Sequence, residues 1–411
     1  MAQDDPEIPA MKTDVSTEID VTGFAFGGRA VGRRSDGKVC FVRGAVPGER
    51  VEVRLTSDKK NFAEGILTRI LKSSPQRLRP ECPNPCPGCS YAHIPYEMEL
   101  DWKQRQFRSF AEKARLQSNP DDFLGKPTGA AERFNWRNKI RLSLEFQPDG
   151  TVRAGYRGED NHTLIEVSDC LLAVPEIRTA LRAGEWKSKL TGHEKSVTFR
   201  WTPADGVRIY FDRGSHEKLT DTLPDFGTFE VGKNSFFQIN PRMAGNLAAK
   251  VCALVMSEKP SLLAELYCGC GVFSVLCAEM LPALSCVGIE LDADSIRRAK
   301  HNAELRGVNK RTEFLAGDSA RTFRRKFPHG LPANSMLLVD PPRTGLDEAA
   351  RKLICRSRAD SVLYVSCSPD TLFRDLAELE KASYRIVSGE LLDMFPATAH
   401  FESITLCERI K

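Results

Sequence analysis

The chain has 411 residues, of which 41% are hydrophobic and 28% charged, with a formal net charge of +4. That length leaves room for two or three domains, each with its own core, and no uninterrupted run of about 18 apolar residues offers a transmembrane helix. The N-terminal MAQDDPEIPA is acidic and has no apolar segment, so it does not read as a secretory signal; the expected location is the cytoplasm, where thiols stay reduced.

Charge is spread unevenly. Residues 1–20 carry six acids and one Lys, whereas residues 29–79 carry thirteen Lys/Arg against five Asp/Glu, a local net of +8 (13 − 5). A basic N-terminal module suits a polyanionic partner, although a solvated charged surface has the same composition. Within residues 11–72, short apolar–polar alternations are split by glycines, as in IDVTGFAFGGRAVGR and GKVCFVRGAVPGERVEVRL. This predicts a small all-β barrel with tight turns. The Pro- and Cys-rich SSPQRLRPECPNPCPGCSYAHI follows as a loop, and MELDWKQRQFRSFAEKARL as a helix. From about residue 130 to 230 short strands return: KIRLSLEF, VRAGYR, KSVTFRWT and GVRIYF.

From about residue 240 helix and strand patterns alternate. Strands are predicted at 262–267, 285–290, 312–316, 336–340 and 361–366, with helices between them, notably 292–306 and 347–357. Such alternation implies an α/β domain built on a mostly parallel, doubly wound sheet. Two last strand-like runs, near 384–393 and 401–409, close the chain. The expected organisation is a β module over 11–75, a central α+β domain over 76–230 and an α/β domain over 231–411.

The α/β domain carries polar groups at its strand ends. Gly269 and Gly271 of LYCGCGVF lie between a strand and a helix, where glycine lets backbone approach a ligand closely. The next strand ends in Glu290, twenty-one residues after Gly269, a spacing suited to ribose hydroxyls. A third glycine is missing, which argues against a dinucleotide and its pyrophosphate and leaves a nucleoside such as S-adenosylmethionine. Asp318 and Asp340 end two further strands. The arrangement resembles class I methyltransferases; by that resemblance Tyr267 flanks the methionine part, Glu290 holds the ribose and Asp318 lies near the adenine.

Cys367 ends the strand VLYVS. The ordinary fate of a free cysteine is packing, but methylation of a pyrimidine at C5 demands a thiol. C5 has no lone pair to attack with. Adding a thiolate at C6 makes an enolate whose C5 can take a methyl group, after which a base must remove the C5 proton. Glu402 of HFES, in the C-terminal strands, is a candidate base. Taken together, FFQIN (236–240), LYCGCGVF (266–273), VDPPRTG (339–345), YVSCSP (364–369) and HFES (400–403) resemble the uracil-5 RNA methyltransferases, which make 5-methyluridine in ribosomal or transfer RNA. The basic β module resembles the TRAM domain, an OB-like RNA-binding barrel. The resemblance implies that Cys367 is the nucleophile and Glu402 the base, and that Gln238 and Asp340 contact cofactor or uracil. Two positions depart from the family pattern: Ser368 stands where Asn is usual in S-C-N-P, and Glu265 where Asp is usual. RNA is the implied partner; no membrane association and no obligate protein partner is expected.

Thirteen cysteines, an odd number, argue against a disulfide framework. Cys82, Cys86 and Cys89 form C-x3-C-x2-C, a metal or cluster pattern that needs a fourth ligand. Zinc and iron–sulfur both suit thiolates. The family resemblance implies a 4Fe–4S cluster with Cys170 as the fourth ligand, although C-x5-C is the commoner first spacing. The remaining cysteines sit mostly in apolar context and read as packing residues. Trp136 and Phe134, beside the basic WRNKIR, are available for base stacking, with core packing the preferred reading. The runner-up function is RNA cytosine-5 methylation, disfavoured because Asp340-Pro341-Pro342-Arg343 lacks that family's second cysteine. A non-catalytic RNA-binding protein with a retained cofactor fold is the other alternative, disfavoured by the intact Gln238, Glu290, Asp340, Cys367 and Glu402.

Overall fold

The computed structural model describes residues 16–82, 84, 86–212, 217–233 and 235–410; the first positions of the expected barrel, 11–15, lie outside them. The chain divides into two compact units. One comprises described residues 16–82, 88–103 and 397–399, and the other holds the remainder. No described helix is long and apolar enough to cross a membrane.

In the first unit, β1 (Ser16–Phe24), β2 (Ala30–Arg33), β3 (Val39–Arg43), β4 (Arg50–Asp58) and β5 (Phe62–Lys72) close into a barrel in the order β1-β2-β3-β5-β4. Alternation sends Ile19, Val42, Val51, Val53 and Ala63 inward, all at 0% exposure, and turns the Lys and Arg residues between them outward. Closure removes the open strand edges that a five-stranded sheet of this size would otherwise expose. Tyr91 and Ile94, from the Cys-rich stretch, complete the same core.

The predicted helix over the MELDW segment forms as α1 (Tyr96–Lys113), with Glu97 and Glu99 in its first turn and Lys113 in its last, the polarity its dipole favours. A short helix α2 (Pro120–Phe123) follows. The second unit then builds a five-stranded sheet from β6 (Lys139–Phe146), β7 (Val152–Arg157), β8 (Leu164–Glu166), β9 (Ser196–Thr202) and β10 (Gly206–Phe211), in the order β10-β9-β6-β7-β8, with α3 (Pro175–Ala183) packed against β9 and β10. Strands β11 (Lys218–Leu223) and β12 (Gly227–Gly232) form a separate hairpin.

Beyond α4 (Pro241–Glu258) lies the largest sheet. It comprises β13 (Leu262–Leu266), β14 (Ser285–Glu290), β15 (Thr312–Ala316), β16 (Ser335–Val339), β17 (Ser361–Ser366), β18 (Tyr384–Leu392) and β19 (Glu402–Arg409). Helices α5 (Val272–Met280), α6 (Ala293–Leu305), α7 (Ser319–Lys326), α8 (Glu348–Arg356) and α9 (Pro369–Lys381) alternate with its strands. The strand order is β15-β14-β13-β16-β17-β19-β18. The first five strands are parallel, while β19 inserts antiparallel between β17 and β18. This is the class I methyltransferase fold, a doubly wound sheet ending in an antiparallel pair. β14, β15 and β17 have the bounds their sequences predict. β13 stops one residue early because Tyr267 takes φ +63°, a left-handed conformation no strand continues through. β16 stops at Val339 because Pro341 and Pro342 offer no N–H to extend the ladder.

Candidate active site

β13 lies between β14 and β16, and chain connections leave it in opposite directions, so a crevice opens at the carboxyl ends of β13 and β16. The turn after β13 is built from left-handed residues: Tyr267, Gly269 (φ +52°) and Gly271 (φ +80°). At Gly271 a Cβ would sit 2.9 Å from the Ala299 Cβ and from the Phe314 ring, so helix and strand pack directly on its backbone. A Cβ at Gly269 would meet nothing within 4 Å, because that side of the loop is open to the crevice. Glu290 Oε2 accepts a hydrogen bond from the Gly269 N–H at 3.2 Å, and its Oε1 accepts from Asp292 N–H at 2.9 Å. The carboxylate at the end of β14 therefore steadies the glycine loop from the neighbouring strand. Glu265 is buried and accepts from both the N–H of Ser274, at 3.0 Å, and its hydroxyl, tying β13 to the first turn of α5. Burial pushes this carboxyl up to about 8.

The cavity at this crevice is lined by Phe236, Gln238, Tyr267, Gly269, Phe273 and Asp340, among others. Four residues expected at the cofactor, namely Gln238, Tyr267, Gly269 and Asp340, thus share one cavity. Gly271 does not line it but packs its loop against Ala299 and Phe314, and Glu290 braces the same loop. Asp318 does not line it. Its side chain caps α7, accepting from Arg321 N–H at 2.8 Å, and its charge, with that of Asp347, adds to the burial that pushes the Tyr267 phenol up to about 12. The open side of Gly269 leaves its backbone accessible to a ligand in the crevice. Phe236, 73% exposed, and Phe273 were not singled out from the sequence; an apolar pair in FFQIN gives no sign that one ring faces out.

One strand over, β17 and β19 pair antiparallel with Ser366 opposite Ser403, and the Ser403 hydroxyl donates to the Ser366 carbonyl at 3.0 Å. The ladder ends at that rung; Cys367 follows Ser366 and Glu402 precedes Ser403, so both flank it, close enough for the Glu402 charge to act on the Cys367 thiol. Cys367 is half-buried and Glu402 is 4% exposed. Burial, then the Glu402 charge, pushes the Cys367 thiol up to about 12; Arg343 opposes this and Asp340 adds to it. Burial and Asp340 likewise lift the Glu402 carboxyl well above the usual carboxylate range, again against Arg343. Burial raises Asp340 itself to about 7. Asp340 therefore both lines the cofactor cavity and acts on the thiol–carboxylate pair.

The turn that presents Cys367 is held by its two serine neighbours. The Ser366 hydroxyl accepts from Ser368 N–H at 3.1 Å and donates to the Ser368 carbonyl at 3.1 Å. The Ser368 hydroxyl donates to Asp370 at 2.6 Å in the first turn of α9, and Thr371 bonds the Ser368 carbonyl at 3.1 Å. Ser368 occupies the N-cap position of α9, where its hydroxyl makes no capping bond to a backbone N–H but ties the turn to Asp370.

Of the four cysteines expected to bind a cluster, Cys86 and Cys170 belong to the second unit and Cys82 and Cys89 to the first. The Tyr156 hydroxyl bonds Cys170 Sγ at 3.6 Å, and both Cys170 and Cys86 add to the burial that drives the Tyr156 phenol upward. Among the described residues no group of three or more His, Cys, Asp or Glu side chains is arranged to hold a metal ion. Cys40, Cys252, Cys268, Cys270, Cys277, Cys286 and Cys407 are buried, in keeping with a packing role, and Cys355 is half-buried. Trp136 is also buried, 6.1 Å ring to ring from Phe395, with its indole N–H bonded to the Arg133 carbonyl at 3.2 Å.

Comparison with known proteins bears on the same residues. Residues 204–410 match the family model tRNA (uracil-5-)-methyltransferase, and residues 16–68 match the TRAM domain. A relative from Haemophilus influenzae named 23S rRNA (uracil(1939)-C(5))-methyltransferase RlmD is 29% identical over 438 residues, covering 97% of this chain and 98% of its own. One of the same name from Mannheimia succiniciproducens is 28% identical over 434 residues, covering 95% and 96%. The solved Pyrococcus abyssi tRNA (uracil-54, C5)-methyltransferase, in complex with S-adenosyl-L-homocysteine, shares the fold with a TM-score of 0.72 at 21% identity, over 95% of this chain and 100% of that one. With its methyltransferase sheet matched through both terminal strands and its barrel matched as a TRAM domain, the chain belongs to the tRNA (uracil-5-)-methyltransferase family.

Proposed function

We propose that this chain methylates C5 of a uridine in structured RNA with Cys367 as the nucleophile and Glu402 as the proton-abstracting base. What supports the reading is the β17–β19 ladder, whose last rung, Ser366 with Ser403, is flanked by Cys367 and Glu402, with Asp340 acting on both. S-adenosylmethionine supplies the methyl group and leaves as S-adenosylhomocysteine. The Cys367 thiolate adds to C6, and electron density moves through the ring onto O4. Gln238, which lines the same cavity as Asp340, is the proposed hydrogen-bond donor as that oxyanion develops. C5 takes the methyl group, Glu402 removes the C5 proton, and the C6–S bond breaks to restore both thiolate and aromatic ring. Burial suits Glu402 to this last task, since a carboxylate with a raised pKa is the stronger base toward a carbon acid. The target uridine reaches a half-buried thiol only when unstacked from its neighbours.

The curated relatives that align along nearly the whole chain are named for 23S rRNA, so ribosomal RNA is the first substrate to test. Cys82, Cys86, Cys89 and Cys170 are the proposed ligands of a 4Fe–4S cluster. The C-x3-C-x2-C spacing and the shared influence of Cys86 and Cys170 on Tyr156 support that set. Such a cluster has no part in the methyl-transfer chemistry, and anaerobic purification with iron and sulfide analysis distinguishes it from zinc. An RNA substrate and reduced thiols favour a cytoplasmic location.

The deciding experiment uses RNA containing 5-fluorouridine together with S-adenosylmethionine. Fluorine at C5 does not leave as a proton, so the enzyme stalls as a covalent complex that survives denaturation. Cys367→Ala is expected to abolish the complex; its persistence would assign the nucleophile elsewhere. With ordinary uridine, Glu402→Gln is expected to accumulate a methylated covalent complex, and wild-type turnover by this variant would remove Glu402 from its role.

A further inference from the structure

A second cavity, of about 350 Å³, backs onto the cofactor cavity. Thr222 and Pro224 line it while Leu223, between them, lines the cofactor cavity; Asn240 to Met243 line it while Gln238 and Ala244 face the other side. The end of β11 and the first turn of α4 are therefore one wall with a cavity on each face. The volume lies at the small end of ligand pockets and suits a nucleoside.

The lining has a definite chemistry. Trp201, on β9, is half-buried and supplies an aromatic surface. Glu132 and Glu176 bring two exposed carboxylates, and Glu132 pairs with the exposed Arg242 at 3.2 Å, an ion pair that water largely screens. Asn135 uses its carbonyl oxygen to accept from Arg178 at 2.8 Å, so its amide NH2 is directed elsewhere. With Arg242 paired to Glu132, the lining keeps a net negative charge, which disfavours the RNA backbone as occupant. The two carboxylates are acceptors suited to the exocyclic amine of cytosine, adenine or guanine, and uracil carries no such amine. An indole beside carboxylate acceptors is how an unstacked base is held.

We propose that this cavity receives an amine-bearing nucleobase of the substrate RNA, splayed out close to the target uridine, and so contributes to the choice of site. The proposal rests on the RNA methyltransferase reading, because the wall shared with the cofactor cavity is what brings a neighbouring nucleotide within reach. A protein side chain such as arginine would satisfy the same carboxylates and indole. The wall shared with the crevice cavity favours RNA.

The test first fills the cofactor site with S-adenosylhomocysteine, then titrates cytidine, adenosine, guanosine and uridine separately, following tryptophan fluorescence. At least one amine-bearing nucleoside is expected to quench, at concentrations where uridine does not. The double variant Glu132→Gln, Glu176→Gln is expected to weaken that response about fivefold or more and to leave S-adenosylhomocysteine affinity unchanged. With ribosomal RNA as methyl acceptor, the same variant is expected to raise KM at constant kcat, and the single variant Glu176→Gln to show part of the effect should the double variant fold poorly. Equal quenching by uridine, no quenching by any nucleoside, or quenching by N-acetylarginine amide alone would overturn the proposal. If wild type transfers no methyl group and forms no adduct with 5-fluorouridine RNA, it is the methyltransferase reading that falls, and the nucleoside titration still decides what the cavity holds.

Discussion

At Cys367 two opposing influences meet. Burial and the nearby Glu402 hold the thiol protonated, with its pKa pushed up to about 12, while Arg343 favours the thiolate and, equally, the Glu402 carboxylate. Arg343 sits in the loop after β16, three residues beyond Asp340, and is exposed. Each deprotonated form is needed at a different step, so methyl transfer is expected to accelerate as pH rises from neutral into the alkaline range. Replacing Arg343 with Met should displace this rise upward by up to about one pH unit, a tenfold loss at fixed pH, and Arg343→Lys should recover part of it. Because the guanidinium is exposed, the gap between wild type and Arg343→Met should narrow as salt is raised. Measuring kcat/KM against pH at two ionic strengths checks both points; a salt-independent gap would instead indicate a direct contact with substrate.

The loop between β13 and α5 does two separable jobs, one per glycine. At Gly271 an added Cβ collides with α6 and β15 at 2.9 Å and the φ of +80° is itself unfavourable, so Gly271→Ala should cost about 2–4 kcal/mol. That is read as a lower melting temperature. Gly269→Ala meets open space and should cost only about 1 kcal/mol, yet its methyl group projects into the crevice where we propose the cofactor binds, so S-adenosylhomocysteine affinity is expected to fall more than stability does. Calorimetric titration alongside thermal melting separates the two outcomes. This loop also shows what the sequence makes legible. Glycines, strand lengths and polar strand ends follow from linear spacing, so β14, β15 and β17 and the turn after β13 were readable in order. The nearness of Cys367 to Glu402 comes from β19 inserting between β17 and β18, a crossing that chain order does not encode. Asp318 shows how one residue takes two local roles: an Asp ending a strand is also an Asp starting a helix, and here its side chain caps α7. Ser368 became intelligible only through its bond to Asp370 in the first turn of α9, and the charge of Arg343 only through the fold that brings it near β17 and β19.

For the whole molecule, the buried carboxylates set how stability answers to pH. Glu265 has its pKa raised from 4.5 to about 8 and Asp340 from 3.8 to about 7, so between those limits the native state binds more protons than the unfolded chain. Stability then falls as pH rises through that window, by up to about 1.4 kcal/mol per pH unit for each group. Melting temperature should decline from mildly acidic to mildly alkaline pH, and Glu265→Gln, which keeps an acceptor for Ser274, should flatten the decline. Charge on the barrel acts at longer range. Several of its cations are neutralised within the unit, as in Arg34 with Asp58 at 2.7 Å, Arg50 with Glu18 at 2.7 Å and Arg77 with Glu49 at 2.5 Å. Arg54, Lys60, Lys72 and Arg79 are exposed and make no ion pair among the described residues, so they remain for phosphates. Each phosphate neutralised contributes about 0.9 to the slope of log affinity against log salt for duplex nucleic acid, and about 0.7 for single strands. Changing Arg54, Lys60 and Lys72 together to Ala should therefore lower that slope by about two for ribosomal RNA while leaving kcat at saturating RNA unaltered. An unchanged slope would mean that the barrel's excess charge is ordinary solvated surface and that RNA is held by the second unit alone.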